Sequence, residues 1–191
     1  MFVRFFLIFI LASCAQVNSP KSDKVDQFFI IEVAPNKQTA LVRQNLEHLI
    51  KIYDLNPYLY NKKIKIQSGV VPTSLPEIVL NTKYAEEPKN VLFLFLHFQL
   101  SQAPLFQNSA YKKLEQELTR DIHLQKVKSK SMLVTSHLNL QVLKSILGVR
   151  DSIFLIRDIS KSEPFLTNYY FAAQKHEKKL AALMKKYKLS L

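Results

Sequence analysis

Three short segments in the first half of the chain have the composition or the spacing of β-strands. The runs 28–33 and 77–82 are rich in β-branched and aromatic residues. Between them, Ile64 and Ile66 alternate with polar residues, the period-two pattern of a half-buried strand. Pro35 closes the first run, since proline has no N–H to donate to a sheet. The pattern therefore predicts three short strands, all placed early.

Helical spacing of apolar residues dominates the rest of the chain. The run 91–100, the most apolar after the first few residues, follows Pro88 and predicts a buried helix ending near Pro104, with a central strand as the alternative. Gly148 is the expected C-terminal cap of a preceding helix. Further helices are predicted over 39–53, 111–122, 131–147 and 165–187, with a turn region at 54–61.

These elements define the fold class that we expect. About five helices and three short strands predict a single α+β domain that is dominated by helix and has a small early sheet. Tyr169 and Tyr170 are adjacent on the final predicted helix. They cannot face the same way, so one of them is expected to be exposed.

The first fourteen residues have the three-part layout of a secretory signal. Arg4 precedes an apolar run over 5–11, and small residues lead to Cys14. The apolar run is too short for a transmembrane helix, which needs about 20 apolar residues. The segment Leu11-Ala12-Ser13-Cys14 resembles the lipobox of bacterial lipoproteins. That resemblance implies cleavage between Ser13 and Cys14 and attachment of a diacylglycerol to the Cys14 sulfur. A secreted protein with a chance cysteine, or a buried N-terminal helix, is the alternative.

The leader also divides the chain. We expect a signal peptide over 1–13, a lipidated N-terminus and polar tether over 14–26, and one folded domain over 27–191. Cys14 is the only cysteine, so an internal disulfide is impossible and acylation is its best explanation. Ala15 stands where an aspartate in the related lipoproteins implies inner-membrane retention. The resemblance therefore favours the periplasmic side of the outer membrane over the inner membrane.

The chain is strongly basic. Its formal charge is +12, and the part after the leader carries one charge fewer because the leader contributes Arg4 and no acid. In the cell envelope this favours lipid headgroups or anionic envelope polymers as partners and argues against nucleic acid. With only two glycines, glycine-rich phosphate-binding loops are excluded. A dense lysine cluster near the end could contact anionic surfaces or be simply solvated: Lys175, Lys178, Lys179, Lys185, Lys186 and Lys188.

The order of elements over 64–191 resembles a group of uncharacterised bacterial proteins with a zinc-metallopeptidase (zincin) core. The strand segment 76–84 is followed by a buried helix with a central His97, then by a helix containing His137 and a C-terminal helix containing His176. In that family the strand forms one wall of the substrate cleft. The helix carries H-E-x-x-H, whose histidines bind zinc and whose glutamate activates water.

The motif is broken in this chain. His97 matches the first histidine, but Phe98 replaces the glutamate and Ser101 replaces the second histidine. Lys144, two turns after His137, stands where an acidic third ligand would be sought, and its ammonium group repels a dication. The resemblance therefore implies a pseudo-enzyme, with neither zinc nor any other cofactor expected.

Other candidate sites are weaker. A lone histidine on an apolar helix is typical of a core residue, which is the favoured interpretation of His97. A site assembled in space from His97, His137 and His176 is the alternative. The carboxylates Glu115, Glu117 and Asp121 lie on a polar helix and are expected to face solvent.

Three functions follow from these observations. The first is a non-catalytic, membrane-anchored envelope lipoprotein whose peptidase-like domain binds a peptide or protein partner. The second is a structural lipoprotein that binds anionic envelope polymer or lipid through its basic C-terminal helix. The third, least favoured, is a hydrolase with an unrecognised site.

Overall fold

The computed structural model describes residues 29–74 and 77–191. The predicted leader, the lipobox with Ser13 and Cys14, and the tether over 14–26 lie outside the described residues. The interpretation of that segment therefore stays a prediction.

Three strands form one parallel sheet in their sequence order. They are β1 (Phe29–Val33), β2 (Lys63–Gln67) and β3 (Ile78–Asn81). The register places Ile30 beside Ile64 and Ile64 beside Ile78, so one face of the sheet is apolar and turned towards the core. The three predicted strands are confirmed, because β-rich alternation depends on local sequence alone.

Helix α1 (Lys37–Ile52) connects β1 to β2 and packs on the core face of the sheet. Its N-terminus is closed by a capping box, in which the Asn36 side chain accepts from the Thr39 N–H and Thr39 Oγ1 accepts from the Asn36 N–H. The Thr39 hydroxyl also contacts Glu32 of β1, at 2.8 Å. Capping thus fixes where the helix begins and ties it to the edge strand.

Helix α2 (Pro88–Ser101) is the buried helix that the apolar run predicted, and the alternative of a central strand is wrong. Every residue from Asn90 to Leu100 is buried. Gln99 is fully buried among them: its side-chain oxygen accepts from the N–H groups of Tyr60 and Asn61, and its amide donates to the Asn61 carbonyl, each at 2.8 Å. One polar side chain in an apolar helix therefore holds the turn region that precedes β2.

Helices α3 (Ser109–Arg120) and α4 (Lys130–Leu147) follow, close to their predicted bounds. Gly148 ends α4 with φ +81°, a conformation that other residues adopt only with strain. Helix α5 (Val149–Ser162) begins directly after it and was not predicted. Its buried stripe has helical spacing but includes Ser152 and Ser160, so its apolar pattern is incomplete.

The prediction of one long final helix is wrong. The segment forms α6 (Pro164–Lys175) and α7 (Glu177–Lys186), separated by His176, whose φ and ψ of −111° and 23° leave the helical range. The break places Glu177 in the first turn of α7, where a carboxylate is favoured by the helix dipole.

Helix α4 is central to the helical part of the domain. It packs against α2, α5 and α6, while α2 and α1 lie between it and the sheet. The apolar side chains of all these elements form one continuous core. The predicted class, a single helix-dominated α+β domain with a small early sheet, is confirmed. Within the described ranges, no helix combines the length and apolarity needed to cross a membrane.

Candidate functional site

His97 lies in the core and not beside an open cleft. Its side chain is 1% exposed, and its Nδ1 lies 2.9 Å from the hydroxyl of Tyr170 on α6. The Tyr170 hydroxyl also accepts from the amide of Asn139 on α4, at 2.6 Å. Desolvation lowers the pKa of His97 to about 3, so the imidazole is neutral at pH 7. We call His97, Asn139 and Tyr170 the buried polar cluster.

The other two positions of the predicted motif on α2, Phe98 and Ser101, also make contacts that stabilise the fold. Phe98 is buried and packs edge-on against the His97 ring. The Ser101 hydroxyl donates to the Phe98 carbonyl of its own helix, at 2.7 Å. The buried polar cluster thus joins α2, α4 and α6.

His137 lies elsewhere, on the side of α4 that faces α7. It is 2% exposed, and its Nδ1 is buried without a hydrogen-bond partner among the described residues. Burial lowers its pKa to about 4, with Glu177 acting in the opposite direction, so this imidazole is also neutral at pH 7. Lys144 points to the same region and forms an ion pair with Glu177 at 2.6 Å, in which Gln141 also takes part. Sequence reasoning placed no acid near Lys144, because Glu177 belongs to another helix.

The histidines do not assemble into a metal site. Across 29–74 and 77–191, no group of three His, Cys, Asp or Glu side chains is arranged to hold a metal ion. His176, the third member of the imagined site, stacks instead on His123, with ring centroids 5.9 Å apart. The expectation that the protein binds no zinc stays a prediction.

A groove lies where α4, α7 and the segment after α7 meet, and we call it the C-terminal groove. The chain turns back at Lys188, whose φ is +54°, and the Leu189 N–H donates to the Met184 carbonyl at 2.9 Å. The groove has a volume of about 520 Å³, within the usual range for small-molecule sites. It is lined by His137, Leu138, Ala181, Met184, Lys185 and residues 188–191.

The groove is apolar inside and basic at its rim. Leu138, Met184 and Leu189 supply buried apolar wall, whereas Lys185 and Lys188 are exposed. Neither lysine has an acidic partner in the part of the chain that the structure describes. An apolar interior with uncompensated positive charge at its mouth complements a ligand that has an apolar chain and an anionic head.

The predicted basic surface divides into paired and unpaired lysines. Lys186 pairs with Glu117 of α3 at 2.7 Å, and Lys179 contacts Asp121. Hydrogen bonding to these lysines lowers the pKa values of Glu117 and Asp121. Four lysines of the cluster are exposed and form no ion pair within the described residues: Lys175, Lys178, Lys185 and Lys188.

His137 and Lys185 are separate candidates in the sequence, and the structure brings them to one groove. It missed the apolar wall, since Leu138, Met184 and Leu189 look like ordinary core positions in a periodic pattern. It also missed Tyr170 as the partner of His97. Tyr170 is 1% exposed and Tyr169 is half-buried, so the two adjacent side chains differ in burial, but neither is exposed as the sequence predicted.

Comparisons with protein-family models, with curated proteins and with solved structures gave no match. The resemblances to lipoproteins and to zincins therefore stay hypotheses that rest on the residues named above.

Proposed function

We propose that the protein is a lipid-anchored envelope protein whose folded domain binds an amphipathic anion without catalysing a reaction. The lipobox residues Leu11 to Cys14 support the anchor. The single observation that carries the binding function is the C-terminal groove, which joins an apolar interior to a basic rim. The proposal makes the anionic-lipid hypothesis specific, because it places the contact in a groove and not on the whole basic helix.

The ligand class follows from the groove's chemistry. An aliphatic chain would lie against Leu138 and Met184, which exclude water. A carboxylate or phosphate head would lie between Lys185 and Lys188. The neutral imidazole of His137 can accept or donate one hydrogen bond at the base of the groove.

A non-catalytic role fits the residues around His97. His97 is enclosed by core, and the positions of the catalytic glutamate and second histidine hold Phe98 and Ser101. The cleft that the peptide-binding hypothesis needed beside His97 is filled by side chains of α2 and α6. Binding of a peptide or protein partner stays a prediction without a cleft to support it, so we favour the C-terminal groove.

Two neighbouring alanines provide a matched test of the groove. Ala181 and Ala182 are both exposed on α7, but only Ala181 lines the groove. Ala181→Glu places a carboxylate in the path of the ligand, so dodecanoate binding measured by calorimetry should weaken at least about tenfold, the effect of one unfavourable charge contact. Ala182→Glu should bind as the unchanged protein does. Equal affinities in both variants, or dodecanol binding as tightly as dodecanoate, would refute the ligand assignment.

The anchor has its own test. Labelled palmitate supplied to cells that express the full chain should be incorporated, and Cys14→Ser should abolish the label, since Cys14 is the only thiol. Undiminished labelling of Cys14→Ser, or none in the unchanged chain, would remove the anchor from the proposal.

A further inference from the structure

The sheet has one face that no described element covers. Strands that pair only in parallel are usually covered by helices on both sides. Here α1 and α2 cover one side, and the opposite side consists of Phe29, Ile31, Val33, Lys63, Lys65, Gln67, Val79 and Asn81. We call this the outer sheet face.

The outer sheet face is amphipathic. None of its side chains is buried, and Phe29 and Ile31 are 67% and 48% exposed on the edge strand. Lys63, the register partner of Phe29, is also exposed. Lys65 forms an ion pair with Glu77, so we do not count it as a free cation. Two large apolar side chains beside an exposed ammonium are typical of surfaces that bind the headgroup region of a bilayer.

The position of β1 in the chain adds a second argument. It is the first described element after the predicted lipid anchor, and 14 residues (15–28) separate Cys14 from Phe29. A chain of that length spans at most about 50 Å. An anchored Cys14 therefore keeps β1 within reach of the same membrane.

We propose that the outer sheet face docks on the surface of an anionic membrane, with Phe29 and Ile31 among the headgroups and Lys63 against lipid phosphates. This rests on the proposed anchor at Cys14, which supplies the local concentration. Docking would orient the anchored domain relative to the bilayer, so that it does not tumble freely on its tether.

The composition of the chain allows a direct test. It contains no tryptophan and one cysteine, so Phe29→Trp is a single fluorescent reporter and Cys14 a single attachment point. Every described helix and strand lies within 29–191, so a chain over 14–191 retains the described fold. This chain is coupled through Cys14 to a maleimide lipid in vesicles of phosphatidylglycerol and phosphatidylethanolamine. Chemical coupling makes the result independent of whether cells acylate Cys14.

The expected result is a blue-shifted emission of Trp at position 29 and a loss of intensity when brominated lipids are included. The control Phe171→Trp, whose parent side chain is 53% exposed on α6, should show neither change. Lys63→Glu should lower the docking equilibrium about tenfold, because one anionic-lipid contact is replaced by repulsion. The matched Lys178→Glu, on exposed α7, should leave it unchanged.

Three results would overturn the proposal. One is an emission of the position-29 reporter that is unaffected by vesicles. Another is equal quenching of the reporters at positions 29 and 171. The third is a blue shift that appears without vesicles and grows with protein concentration, since a second copy of the chain would then cover the face. A failed palmitate-labelling experiment combined with quenching of the position-29 reporter would refute the anchor alone.

Discussion

Tyr170→Phe tests whether the buried polar cluster holds the three central helices together. The change removes one oxygen and leaves the ring, which packs 4.9 Å from that of Phe93. The Tyr170 hydroxyl has two partners, Nδ1 of His97 at 2.9 Å and the Asn139 amide at 2.6 Å. Burial raises the pKa of Tyr170, so the hydroxyl keeps its proton for hydrogen bonding.

The size of the destabilisation follows from the hydrogen bonds that His97 and Asn139 keep in the variant. His97, which is 1% exposed, loses the only hydrogen-bond partner that the described residues offer its Nδ1, whereas the Asn139 amide still donates to the Phe93 carbonyl at 3.2 Å. A buried polar atom without a partner costs about 1–3 kcal/mol, and a lost hydrogen bond about 1 kcal/mol. We therefore expect Tyr170→Phe to lower the free energy of unfolding by about 2–4 kcal/mol.

Urea denaturation followed by circular dichroism measures this loss. The control is Tyr169→Phe, at the half-buried neighbouring position, which should change stability by less than about 0.5 kcal/mol. A double-mutant cycle with His97→Leu should show the two changes to be non-additive by about 1 kcal/mol or more, because both remove the same contact. A loss below about 0.5 kcal/mol for Tyr170→Phe, or strict additivity in the cycle, would refute the reasoning.

Three further predictions concern stability. Lowering the pH from 7 to 5 should lower the free energy of unfolding by about 4 kcal/mol. The pKa values of His97 and His137 are about 3 and about 4 in the folded protein and 6.5 in the unfolded chain. Below pH 6.5 the unfolded chain therefore binds more protons than the folded protein, which favours unfolding. Urea titrations at both pH values test this, and His137→Leu should halve the loss. Gly148→Ala should destabilise by about 1–2 kcal/mol, since its φ of +81° strains any residue with a Cβ, and an unchanged denaturation midpoint would contradict this. Lys144→Met should lower the free energy of unfolding by about 1–2 kcal/mol, because the Glu177 carboxylate loses its ion-pair partner and keeps only the neutral amide of Gln141. Adding Glu177→Gln should recover part of that loss, and a further loss in the double variant would count against the ion pair.

Much of the fold follows from local patterns. β-Rich runs located two of the strands, and period-two alternation located the third. Apolar residues located four helices, by helical spacing or, for the buried helix, as a continuous run after Pro88. Apolar spacing did not reveal α5, because small polar residues occupy some of its buried positions. Ser152 and Ser160 are buried on α5 without adding to an apolar pattern. The break at His176 contains neither proline nor glycine, so no local signal marks it.

The candidate site was only partly predictable for a related reason. His137, Lys144 and Lys185 could be named from the sequence, but not what each of them contacts. Lys144 was interpreted as a lost zinc-ligand position because it lies two turns after His137 on the same helix. Its partner Glu177 belongs to a different helix, so the spacing along α4 could not reveal the ion pair.

The sequence by itself determined the basic charge and the three strands. It also supplied the resemblances to a lipobox at Cys14 and to an incomplete zinc motif at His97, which stay predictions. Each of these is a property of neighbouring residues and needs no knowledge of the fold. Only the tertiary structure decided that His97 is a core residue bonded to Tyr170 and that His137 and Lys185 share a groove. It also decided that none of the described elements covers the second side of the sheet. Contacts between elements far apart in the chain depend on how their faces pack together, and the spacing of residues within one element does not specify that packing.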